Sequence, residues 1–197
     1  MLAGRGFQEV YSLAGGIKAW EGLTAAGPVE RGLGLLSGQE DPAQLLVIAF
    51  GLESGLVAFY RQAQSLAGDR RAGDLCQRLA QAEERHQDMV YGLYRQAAPA
   101  GLERAELARQ ATALVMEGGE EVPQALARLF PQGFGAAEIL ETAMGIEAQA
   151  LDLYLRMSHK LADEPARQAL YDLAQEEKAH LAALGGLLEQ VTRGEPV

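Results

Sequence analysis

Two Glu-x-x-His pairs stand out in this sequence, Glu83 with His86 and Glu177 with His180. Side chains three apart share a helix face, so each pair points a carboxylate and an imidazole the same way. A further glutamate stands 30 residues before each pair, Glu53 before Glu83 and Glu147 before Glu177. Thirty residues let a helix run on, turn, and return beside the earlier glutamate. Carboxylates inside a helical bundle are costly unless they are paired or metal-bound. Four carboxylates and two imidazoles form a donor set that suits iron or manganese, and zinc can enter by affinity.

The two sets belong to an internal repeat. A shift of 94 positions lays residues 51–90 on 145–184 with ten of forty positions identical. Gly51 falls on Gly145, Tyr60 on Tyr154, Asp69 on Asp163, and Leu79-Ala80-Gln81 on Leu173-Ala174-Gln175. A lone Glu-x-x-His arises readily by chance, but the doubled set at equal spacing does not. Two hairpins related by a pseudo-twofold axis bring all six ligands to one centre. Tyr60 and Tyr154 lie two turns after Glu53 and Glu147, which keeps them on the inward face, where each could hydrogen-bond a ligand carboxylate. Cys76 faces inward as well and reads as a small buried hydrophobe.

The elements that must position these residues are helices. Ala, Leu, Glu and Gln dominate from residue 40 onward, which favours an all-α fold. Asp41 and Pro42 start a first long helix that runs to about Leu66. Gly68-Asp69 breaks it, and a second helix runs from about Ala72 to Gln96. A connector follows, with helices expected near 102–116 and 123–130. A third long helix spans about Ala136 to Leu161. Asp163 caps a fourth, which carries Pro165 in its first turn and ends near Thr192. Short links make two antiparallel hairpins, and the long link between the second and third helices can cross the whole bundle. One such crossover between two hairpins is the ferritin-like arrangement.

With these residues in place, the region 41–190 resembles the rubrerythrin branch of the ferritin-like di-iron proteins. The resemblance implies two metal ions per chain, iron by preference. Glu83 and Glu177 would bridge both and act as the catalytic carboxylates. Glu53 and His86 would complete one ion, Glu147 and His180 the other. It implies reduction of hydrogen peroxide or dioxygen, with iron handling or ferroxidase activity as the alternative. Rubrerythrins also carry a further glutamate on the third helix, one turn from its terminal ligand, and a four-cysteine rubredoxin module. Here Met144 and Ala150 flank Glu147, and Cys76 is the only cysteine. The electrons must then come from an external donor, a rubredoxin-like protein or another reductant.

Residues 1–38 differ in character from 39–197. They are glycine-rich, contain the one Trp, and close on a linker-like run at 32–38. Residues 5–28 resemble the C-terminal end of a rhodanese domain, a strand over Phe7–Leu13 leading through Gly15-Gly16 to a turn bearing Ala19-Trp20. The catalytic cysteine loop of a rhodanese would lie upstream, so no sulfurtransferase activity is expected. A formal net charge of −10 argues against nucleic acid and anionic membranes. No signal peptide and no run of about 20 apolar residues is read, which points to the cytoplasm. A homodimer is expected, because one strand cannot bury itself alone.

Overall fold

The computed structural model describes residues 40–110, 116, 120–158 and 164–195. Its elements are α1 (Pro42–Ala63), a 3-10 turn (Gln64–Leu66), α2 (Arg70–Ala97), α3 (Arg104–Gln110), α4 (Val122–Leu129), α5 (Ala136–Ser158) and α6 (Glu164–Thr192). The described residues are all-α, with only two isolated β-bridges. The strand, helical turn and linker expected within residues 1–38 lie outside the described residues, as does Asp163.

Local chemistry explains the starts. Asp41 Oδ1 accepts from the amide of Gln44 at 2.8 Å, and Gln44 Oε1 accepts from the amide of Asp41 at 2.9 Å. This reciprocal box satisfies two backbone donors that a helix start leaves orphaned. Asp69 Oδ1 caps α2 through the amide of Ala72 at 2.8 Å, so α2 starts at Arg70, two residues earlier than expected. The α1–α2 turn is tied down by Gly68, whose amide donates to the carbonyl of Phe134 at 2.8 Å just before α5.

Two apolar clusters fill the interior. One gathers Leu45, Phe50, Leu52, Val90, Leu153, Tyr154, Leu170 and Leu173. The other gathers Leu56, Phe59, Leu75, Leu79, Ile139, Leu140, Ile146 and Leu184. Each long helix crosses from one cluster to the other, and the glutamates and histidines sit between. This order makes α1 antiparallel to α2 and α5 antiparallel to α6. It also makes α2 and α5 run the same way, so the link between them must return along the full length. It does: Leu107 of α3 joins the first cluster, and Val122, Ala125 and Leu126 of α4 join the second. Tyr94 pins the departure, its hydroxyl accepting from the amide of Leu102 at 3.0 Å.

The crossover has a consequence for α1. The segment Pro42–Leu66 is long and apolar enough to span a membrane, its most apolar 18-residue window reaching a mean hydropathy of 1.6, which corrects the expectation of no such run. That hydropathy reflects a helix packed on several sides: α2, α3 and α4 all touch α1, and no residue from Leu45 to Tyr60 is exposed.

Two glycines separate backbone need from helix cost. Gly133 has φ +84°, and a Cβ there would stand 2.9 Å from the carbonyl oxygen of Leu66. Gly92 lies inside α2 with nothing within 4 Å of an added Cβ. Gly133→Ala should therefore cost about 1–3 kcal/mol, and Gly92→Ala should stabilise by about 0.5–1 kcal/mol. Urea denaturation of the metal-free protein checks both, and equal midpoints for the two variants would contradict this account.

Candidate metal centre

The six sequence-predicted ligands lie in the layer between the two clusters. Glu53, Glu83, Glu147 and Glu177 are 1–2% exposed. Glu53, Glu83 and His86 form one group with ligand atoms within 4.8 Å of one another, and His86, Glu177 and His180 form a second. His86 Nδ1 stands 3.0 Å from Glu83 Oε2 and 3.5 Å from Glu53 Oε2. His180 Nδ1 stands 3.6 Å from Glu177 Oε2 and 3.7 Å from Glu147 Oε2. The two halves thus repeat the same contacts, as the 94-residue repeat requires, and the second is the looser.

The halves meet at the histidines. His86 Nε2 and His180 Nε2 are 2.8 Å apart, and the rings stack with centroids 4.0 Å apart. That contact joins α2 to α6. Across the layer, the Tyr154 hydroxyl of α5 donates to Glu53 Oε1 of α1 at 3.5 Å. A tyrosine of one hairpin therefore holds a carboxylate of the other. Tyr60 is buried in the opposite apolar cluster, mirroring the place of Tyr154.

Sequence reasoning missed one local brace. Gln87 Nε2 donates to Ser54 Oγ at 2.9 Å, between the neighbours of His86 and Glu53. Its repeat counterparts are Ala148 and Leu181, so the repeat gave no signal for it. Ala150 is buried among apolar side chains, and Met144 packs against the other cluster. Neither position adjoining Glu147 supplies a further carboxylate. Cys76 is fully buried, and burial pushes its thiol up to about 12, which removes it from thiolate chemistry at neutral pH.

The donor set fits cations. Glu83 Oε2, His86 Nδ1 and His180 Nδ1 are buried and make no hydrogen bond, although carboxylate and imidazole face one another. Atoms that converge on a shared point without bonding each other are disposed as ligands. The electrostatics agree. Burial drives the Glu177 carboxyl up to about 11, and the hydrogen bond and charge of Glu147 add to the rise. Burial also raises Glu147, but the proximity of His180 and Glu177 outweighs it and holds that carboxyl below its ordinary value. Burial lowers His180, but Glu147 and Glu177 overcome this and raise it to about 9. Buried His and Glu groups here could hold a metal ion, and without one Glu177 and His180 hold protons.

Comparison with family models, with curated proteins and with solved structures finds no match to this chain. Its chemistry is read from the site alone.

Ligands must lose their protons to bind a metal. Glu177, at about 11, and His180, at about 9, both hold protons at pH 7. Metal affinity should therefore rise with pH from 7 to 9, and loading at pH 7 should release about two protons per chain. Calorimetric cobalt titrations in buffers of different ionisation heat measure the release. A binding heat independent of buffer would contradict it.

Proposed function

We propose that this chain is a non-haem di-iron oxidoreductase of rubrerythrin type on a ferritin-like four-helix bundle. It reduces hydrogen peroxide with electrons from an external donor. One observation carries the reading: four buried glutamates and two histidines, from four helices, converge in one layer closed by apolar clusters on both sides. Four carboxylates with two neutral imidazoles carry −4, which two divalent cations balance. Burying such a charge without them costs several kcal/mol per ion. A single cation leaves half of it uncompensated.

The bound ions would supply the electrons, one from each ferrous ion. The residues of the chain do the rest. Glu83 and Glu177, each one turn from its histidine, would be held in common by the two ions. Glu53 with His86, and Glu147 with His180, would hold one ion each. Tyr154 orients Glu53 through its hydroxyl. The Ser54–Gln87 bond fixes α1 against α2 at the level of the ligands. The apolar clusters exclude bulk water, which strengthens the field of the carboxylates on charge within the layer. Small reactants enter beside His180, whose side chain is 24% exposed against 7% for His86.

That same opening favours a second reading, in which the site oxidises Fe(II) and passes it on. Uptake beyond two irons per chain distinguishes it.

Iron-loaded protein should hold two irons per chain. Glu83→Ala or Glu177→Ala should lose most of both, whereas Glu53→Ala should mainly weaken one. Metal analysis decides this, and full retention in the Glu83→Ala, Glu177→Ala double variant would sink the assignment. Peroxide needs two electrons to become water, the number that two ferrous ions give, and dioxygen needs four. The reduced protein should thus oxidise at least tenfold faster with peroxide than with dioxygen, about 1.4 kcal/mol in barrier. Stopped-flow absorbance compares the two, and equal rates would move the assignment to iron handling.

A further inference from the structure

Helix α2 carries its ligands on one face and arginines on another. Arg71, Arg78 and Arg85 recur at seven-residue intervals. They form a line about 21 Å long that drifts by only about 20° per step. Arg70, Arg71 and Arg78 line an open depression with Asp74, Gln77 and Gln81.

The acids of this helix surface are already engaged. Asp74 faces Arg70 at 3.6 Å, Glu84 pairs with Arg61 of α1, and Asp88 pairs with Arg104 of α3 at 2.6 Å. Arg71 donates to the backbone carbonyl of Glu195, not to a carboxylate. Neither Arg78 nor Arg85 makes an ion pair among the described residues.

The line runs along the seam between α2 and α6. Arg71 meets Glu195 at one end of that seam, and His86 meets His180 further along it. The two contacts make the helices antiparallel and set Arg78 and Arg85 level with Leu188 and Leu181. From Leu181 to Leu188, α6 carries no charged residue. Among the described residues no carboxylate of α6 pairs with Arg78 or Arg85. His180, which meets His86 across this seam, is the more exposed of the two histidines, 24% against 7%. Beyond it, the exposed Glu176 on α6 ends the cationic stretch.

We propose that the Arg71–Arg78–Arg85 line, beside the partly exposed His180, is the docking surface for an acidic one-electron carrier protein that reduces the metal centre. This rests on the oxidoreductase reading. A chain of net charge −10 repels an acidic partner over most of its surface. A cationic line with no carboxylate partner among the described residues then selects the docking orientation as well as the partner. Its length suits a protein patch, not a small anion. Two carrier molecules each lose one electron to the centre. Those two electrons and two protons turn one peroxide into two waters.

The test uses the metal-loaded full chain and an acidic rubredoxin as probe. The variants are the triple substitutions Arg71→Glu, Arg78→Glu, Arg85→Glu and the milder Arg71→Gln, Arg78→Gln, Arg85→Gln. Arg128→Gln on α4 is the control. Circular dichroism and metal content report folding. The readouts are rubredoxin binding by titration and the rate of its oxidation, relative to the rate with a neutral hydroquinone. In the natural chain, binding and relative rate should fall at least tenfold as salt rises to about 0.5 M. The glutamate triple should lose at least tenfold at low salt and show little further salt dependence. The glutamine triple should lie between, and Arg128→Gln should match the natural chain. Equal binding and equal relative rates in the natural chain and a folded triple variant would overturn the proposal. So would preference for a basic cytochrome, or preferential binding of an oligonucleotide along the line. A centre that is inert to peroxide after chemical reduction would instead overturn the oxidoreductase reading, and the binding titration would still decide the docking surface.

Discussion

Four carboxylates held in one layer, away from water, are the constraint around which this protein is organised. Any one of them alone would be costly to bury as an ion. Together they repel, and the repulsion has to be relieved by protons or by cations. The Glu177 carboxyl, driven far up, and the His180 imidazole, held protonated, show relief by protons. Metal ions would offer the other relief. The layer could therefore trade protons against cations.

The rest of the architecture keeps that layer in place. Apolar clusters above and below act as two separate cores, so the helices are held at both ends while their polar middles face one another. Capping at Asp41 and Asp69 fixes where α1 and α2 begin, and hence at what height Glu53, Glu83 and His86 stand. A one-residue slip in a helix turns a side chain by about 100°, enough to withdraw a ligand. The crossover adds a lateral wall. It covers α1, and of the two histidines His180 is left the more exposed. The two halves are thus similar in ligands and different in access.

That difference in access gives the surface charge its meaning. The chain is acidic overall, and most arginines on its surface answer a neighbouring carboxylate. Along the α2–α6 seam they do not, because the facing stretch of α6 is uncharged. Cationic charge and the most accessible ligand then coincide on one seam, although they come from different faces of α2.

The cluster of four glutamates and two histidines was legible in the sequence because its signal is arithmetic. Equal spacings of 3 and 30 residues occur twice, and helix geometry converts each into a shared face. Helix starts were legible for the same kind of reason, since Asp-Pro and Gly-Asp carry local backbone chemistry. All-α character followed from composition. Other features depend on which helices become neighbours, and no local rule contains that. The contact of His86 with His180, the bond from Tyr154 to Glu53 and the Ser54–Gln87 brace each join residues far apart in sequence. The wrapping of α1 by the crossover converts an apparent spanning helix into a core element, and hydropathy alone cannot tell those apart. The repeat makes the two halves equal on paper. Tertiary packing makes them unequal, because only one of them lies beneath the crossover, and access to a buried site is set by what covers it.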